Sequence, residues 1–165
     1  MKKVTELLAA TLALTLLAAA PQAARADDAK PGTGIHYVYL IRHGIYDPDR
    51  NADEVTANGL NALGHEQARL IGERLKALPV KPAALVGSPY RRAWETAEDI
   101  GAILGMKHTL DTLIHECSAT SDRADYMKNH SAEEIAACHS NLAKAWARYI
   151  VATPDSDRTD ILVCH

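Results

Sequence analysis

Tyr37-Val38-Tyr39-Leu40-Ile41-Arg42-His43-Gly44 runs five apolar or aromatic residues straight into a cation, an imidazole and a glycine. A continuous apolar run of that length reads as a strand buried on both faces. The residues that follow it then emerge at the carboxyl edge of a sheet, where open α/β folds bind ligands. Arginine carries a planar fork of donors that fits phosphate, histidine a nitrogen nucleophile, and glycine permits close approach of the backbone to a ligand. The combination points to phosphoryl chemistry.

Outward from this strand, hydrophobic period alternates between helix and sheet. Residues 45–58 are polar, with Pro48 and several Asp and Asn, and read as a long loop able to overhang the strand end. Ala68, Ile71, Leu75 and Leu78 recur at three and four, predicting a helix over residues 63–78 that ends before Pro79. Ala84-Leu85-Val86 reads as the next strand. Ser88 as N-cap and Pro89 as first helical residue then open a helix with the stripe Ala93, Ala97, Ile100 and Leu104, stopped by Gly105. Residues 107–110 suit a short strand. Ser131 and Glu134 have capping-box spacing ahead of a helical face of Ile135, Cys138, Leu142, Trp146 and Ile150, and residues 160–164 form a last strand before His165. Strands alternating with helices predict an α/β three-layer sandwich, a mostly parallel sheet flanked by helices.

Composition restricts the function classes. The chain has 165 residues, 47% hydrophobic and 24% charged, as in an ordinary globular domain. Residues 1–26 stand apart. Lys2 and Lys3 form a basic start, an apolar run follows, and Ala24-Arg25-Ala26 makes a small-x-small ending, the layout of a cleaved secretory signal. The expectation is a periplasmic or secreted protein, with residues 27–165 as the domain and no stable membrane insertion after cleavage. Losing Lys2, Lys3, Arg25 and Glu6 moves the net charge from −3 to −5, which excludes non-specific coating of nucleic acid. Cys117, Cys138 and Cys164 allow at most one intramolecular disulfide. Neither a Cys-x-x-Cys nor a His-Glu-x-x-His occurs, so no metal or other cofactor is expected.

Arg42, His43, Ser88, Arg92 and His165 each end or follow a predicted strand, so a parallel sheet gathers them on one edge. With this set in view, the chain resembles the histidine phosphatase (phosphoglycerate-mutase-like) superfamily. The matching pieces are Leu40-Ile41-Arg42-His43-Gly44, Leu60-x-x-Leu63-Gly64-x-x-Gln67-Ala68, Ser88-Pro89-x-x-Arg92-Ala93-x-x-Thr96-Ala97, Leu113-Ile114-x-Glu116 and Cys164-His165. Tyr46, the Gly-x-x-Gln-Ala helix and the Cys-His ending are most similar to its mitochondrial protein serine/threonine phosphatases and their bacterial relatives.

The resemblance implies a phosphomonoesterase with His43 as nucleophile. Arg42, Arg92 and His165 would bind the phosphoryl group, and Glu116 would serve as general acid. The substrate would be a phosphorylated small molecule or a phosphopeptide. Asp111 is a nearby rival to Glu116, but it misses the Leu-x-x-Glu pattern. Two other readings compete. Cys117 and Arg123 have the Cys-x5-Arg spacing of cysteine-dependent phosphatases, and a non-catalytic phosphate-binding module would share the basic groups. His36, His65, His108, His115, His130 and His139 match no catalytic position, so surface or hydrogen-bonding roles are expected of them. Family members continue beyond the histidine matched by His165. The resemblance therefore implies a fold lacking its last helix and strand, with uncovered apolar surface and little activity.

Overall fold

The computed structural model describes residues 32–79, 81–152 and 155–165. The segment 1–26, with its expected signal, lies outside them.

Four strands make one parallel sheet in the order β1-β4-β2-β3, where β1 is His36–Arg42, β2 Ala84–Gly87, β3 Thr109–Leu110 and β4 Arg158–Cys164. Register pairs His36 with Arg158 and Arg42 with Cys164 on one side of β4, and Ala84 with Asp160 and Gly87 with Val163 on the other. β4 is therefore central to the site edge. Its alternation divides the core: Ile161 and Val163, fully buried, face helices α1 (Ala62–Lys76) and α2 (Arg91–Leu104), packing with Ile41, Leu75, Leu85, Ala97 and Ile100. Leu162 faces the other way with Val86, against Ile114 of a 3-10 turn (Thr112–Ile114) and Ala145 of α4 (Ala132–Tyr149). Each Val, Leu or Ile side chain so enclosed contributes about 1.5–3 kcal/mol. A single-turn helix α3 (Ala124–Met127) lies in the connection before α4.

The helix ends follow local chemistry. Asn61 caps α1 by accepting from the Gly64 amide, Gly105 ends α2 at φ 66°, and Ser131 with Glu134 forms the expected capping box of α4. α2 differs from expectation. Its N-cap is Tyr90, held extended, so Ser88 stays at the strand end and is not the N-cap. The face expected of α4 is only partly covered: Cys138 and Ala145 are buried, whereas Leu142 and Trp146 are exposed, as is Leu40 of β1 beside them.

Candidate active site

The parallel ladders run past the strands and place the site. The His43 amide donates to the Cys164 carbonyl and the Ser88 amide to the Val163 carbonyl, both at 2.9 Å. Two carbonyls at the end of β4 therefore hold the segments after β1 and β2, with His165 between them. Arg92, one residue inside α2, comes down onto the same edge. Thus Arg42, His43, Ser88, Arg92 and His165 share the carboxyl edge, and Glu116, two residues past the 3-10 turn, reaches it from the side.

His43 is held in one tautomer by its partners. Nδ1 lies 2.8 Å from the Gly44 carbonyl, which can only accept, so Nδ1 carries the proton. Nε2 keeps its lone pair and accepts from Arg92 Nε at 3.2 Å. Burial pushes the His43 pKa below its ordinary value, and the Arg92 and Arg42 charges add to this against the opposing Gly44 hydrogen bond and Glu116. The backbone after it is fixed by motif residues that received no role from the sequence: Thr96 Oγ1 accepts from the Gly44 amide at 3.0 Å and Gln67 from the Ile45 amide at 2.9 Å. Gly44 is required by packing. A Cβ there would stand 2.6 Å from the Gly64 carbonyl oxygen, and one on Gly64 would stand 2.1 Å from that of Ile45.

Arg92 is fully buried. Its Nη1 pairs with the Glu54 carboxylate at 2.8 Å, its Nη2 with Glu116, and its guanidinium lies 4.7 Å from the Tyr46 ring and 5.0 Å from the Tyr90 ring. Glu54 sits in loop 45–58, so this loop does close over the strand end. His165 Nε2 shares a 2.8 Å hydrogen bond with Ser88 Oγ, while Nδ1 is buried without a hydrogen-bond partner, 3.8 Å from Glu116 Oε2. Desolvation first, then Arg92 and His43, push the His165 pKa down to about 3, so this ring is neutral. Its centroid lies 5.1 Å from that of His43. Arg42 is exposed and lines a pocket of about 280 Å³ with His43, Gly44, Ile45 and Gln67.

Two alternatives fall away. Cys117 is joined to Cys138 in a disulfide, and Arg123 is exposed on an ion pair with Asp125 at 2.6 Å. The Cys-x5-Arg reading is therefore corrected: the sulfur is bonded, and the arginine neutralises its own neighbour. Asp111, the rival to Glu116, accepts from the Leu113 amide, Tyr149 and Arg148 and is committed to the turn and α4. Of the remaining histidines, His36 bonds to Val151 and Asp160, His65 to Asp99, and His115 to Asn141.

Tyr46, Tyr90 and Glu54 were missed by the sequence reading as parts of the site. Tyr90 directly precedes α2, a position from which it could have been inferred. Glu54 carries no such signal, because a loop fixes no period.

The family model for the histidine phosphatase superfamily (branch 1) matches residues 38–160. The mitochondrial serine/threonine-protein phosphatase Pgam5 of Caenorhabditis briggsae is 30% identical over 139 residues, covering 81% of this chain and 47% of that protein. PGAM5 of Xenopus tropicalis is 31% identical over 145 residues, covering 70% and 50%. The chain thus spans about half the length of the curated relatives it matches. In fold it is similar to a phosphoglycerate mutase of Plasmodium falciparum, with TM-score 0.52 and 20% identity over 79% of this chain and 61% of that one. The relatives also correct the expected periplasmic or secreted location: they are named as mitochondrial proteins. With a family model matched along most of its length, the chain belongs to the histidine phosphatase superfamily.

Proposed function

We propose that the chain hydrolyses phosphomonoesters through a phosphohistidine on His43. The observation that carries this reading is the locked tautomer: Nδ1–H is held by the Gly44 carbonyl, and the bare Nε2 faces the Arg92 guanidinium, where a phosphoryl group would sit. Nε2 attacks phosphorus in line. The P–N bond forms as the ester P–O bond breaks, and Glu116, protonated, gives its proton to the departing alkoxide. Its carboxylate then takes a proton from water, whose oxygen attacks phosphorus. The P–N bond breaks, and phosphate leaves with His43 neutral again.

The basic groups bind and offset charge through this cycle. Arg92 exchanges its Glu54 and Glu116 contacts for phosphoryl oxygens, and exposed Arg42 supplies a second guanidinium. His165 contributes as a neutral donor. When Ser88 Oγ–H donates to Nε2, the tautomer places the proton on the unpartnered Nδ1, free for a phosphoryl oxygen.

The named relatives are serine/threonine-protein phosphatases, which makes phosphoserine and phosphothreonine peptides the first substrates to test, with phosphorylated small molecules beside them. Phosphate release should be measured from phosphopeptides, sugar phosphates and nucleotides with the parent chain and His43→Ala. The expected result is release from at least one class, abolished by the substitution. Phosphate-analogue binding with no release from any class would instead make the chain a binding module.

A further inference from the structure

Glu116 has no secondary structure of its own to hold it. It follows the 3-10 turn, its carboxylate is half exposed, and residues 118–131 beyond it bond mainly among themselves, as in the Ser121 amide to Met127 Sδ contact at 3.3 Å and the Arg123–Asp125 pair. Its carboxylate pairs with Arg92, a contact that a bound phosphoryl group would take over, so its backbone then depends on its two neighbours. His115 stacks on Tyr90 with rings 17° apart, and its Nε2 meets Asn141 Nδ2 of α4 at 3.2 Å. Cys117 is bonded to Cys138, one α4 turn earlier, whose side chain is only 1% exposed. One tether is a single hydrogen bond and the other is covalent.

We propose that the Cys117–Cys138 disulfide is a positioning device for Glu116, so that proton delivery to the leaving group depends on the oxidised state of this pair. The inference rests on the reading of Glu116 as proton donor. A dithiol reductant would transfer two electrons and two protons to the pair, breaking the S–S bond to give two thiols while itself closing to a disulfide. The covalent hold on Glu116 is then lost, whereas Arg42, His43, Arg92 and His165 keep their places on the sheet edge and α2. Nucleophilic attack survives and leaving-group protonation suffers. A donor displaced by about 1 Å costs on the order of 10²-fold. An aryl phosphate with a good leaving group needs little protonation, and an alkyl phosphate needs it fully.

The test compares kcat/KM for p-nitrophenyl phosphate and for phosphoserine peptide on the full chain, oxidised and after dithiothreitol, with thiol titration to count the groups released. Glu116→Gln is treated in parallel, and Cys117→Ser/Cys138→Ser supplies the reduced state without reductant. Expected is a loss of about 10- to 100-fold on the peptide with less than threefold on the aryl phosphate. Reoxidation should reverse it, the double variant should reproduce it, and Glu116→Gln should show the same split with no further response to reductant. Equal losses on both substrates, or a reduced chain that no longer melts cooperatively, would make the disulfide merely structural and overturn the proposal. A split in Glu116→Gln without any response of the parent to reductant overturns the positioning role alone. No split in Glu116→Gln overturns the proton-donor reading and this inference with it.

Discussion

Arg92→Met separates binding of the phosphoryl group from support of the fold. The guanidinium is fully buried, yet the carboxylates it pairs with, Glu54 and Glu116, are 51% and 50% exposed. When the cation is removed, both can turn to water, so no uncompensated charge stays buried. Methionine has similar length and a sulfur suited to the space between the Tyr46 and Tyr90 rings. Relieving arginine of its desolvation offsets the lost ion pairs, and stability should stay within about 1 kcal/mol of the parent. For a chain of this size that is a melting shift of about 2–4 °C. Catalysis should respond differently. The substitution removes a charge and at least two donors from the developing phosphoryl charge, where one such donor is worth about 10²–10³-fold, so kcat/KM should fall by about 10³ or more. Arg92→Lys keeps the charge but loses the planar fork and should lie between. Thermal melts and phosphate release on the same preparations decide the matter. A melting point lowered by more than about 10 °C, with kcat/KM within tenfold of the parent, would refute the reasoning and make Arg92 a structural cation.

Further expectations concern protons, packing and thiols. His43 and His165 both have folded pKa values below the ordinary 6.5, His165 at about 3, so the unfolded chain binds more protons between those limits; stability should fall as pH drops from about 6.5 towards 3, and denaturant melts at several pH values should show a shallower fall for His165→Asn. For the same reason the acid limb of kcat/KM should lie below pH 6.5, and a limb above it would contradict the assignment of a neutral His43. Gly64→Ala forces a Cβ to 2.1 Å from the Ile45 carbonyl and should cost about 1–3 kcal/mol together with much of the activity, read by denaturant melts and phosphate release. Unfolded but unreduced chain should give one thiol per molecule, from Cys164, and three after reduction; three without reductant would exclude the disulfide.

The sequence was informative where residues are locked to a period or an edge. Tyr37 to Ile41 and Asp160 to Cys164 are legible as strands because both are short, nearly continuous apolar runs, and their ends locate His43 and His165; β4 is buried on both faces as such a run implies, whereas β1 is an edge strand with Tyr37 and Leu40 exposed. Ser88 is not the N-cap because α2 starts later, after an extended Tyr90; the hydroxyl that suits an N-cap bonds His165. The partners of Arg92 were hidden. Glu54 arrives on a loop with no period, and Glu116 arrives past a 3-10 turn whose direction depends on α4. The pairing of Cys117 with Cys138 likewise depends on α4 lying beside that turn, which three cysteines and their spacing do not determine. The leader composition of residues 1–26 reads as export, but basic and apolar residues occur in more than one kind of targeting segment, and the relative from Caenorhabditis briggsae is named as mitochondrial.

Trapping the covalent intermediate tests the account most directly. The chain is mixed with a 32P-labelled phosphomonoester, denatured within milliseconds to seconds, and the protein-bound label is followed in acid and in alkali for the parent and His43→Ala. The account predicts a label on the parent that acid removes and alkali does not, as for a phosphoramidate, and none on His43→Ala. Label that persists in His43→Ala, or parent turnover with no bound label at any quench time, would contradict it.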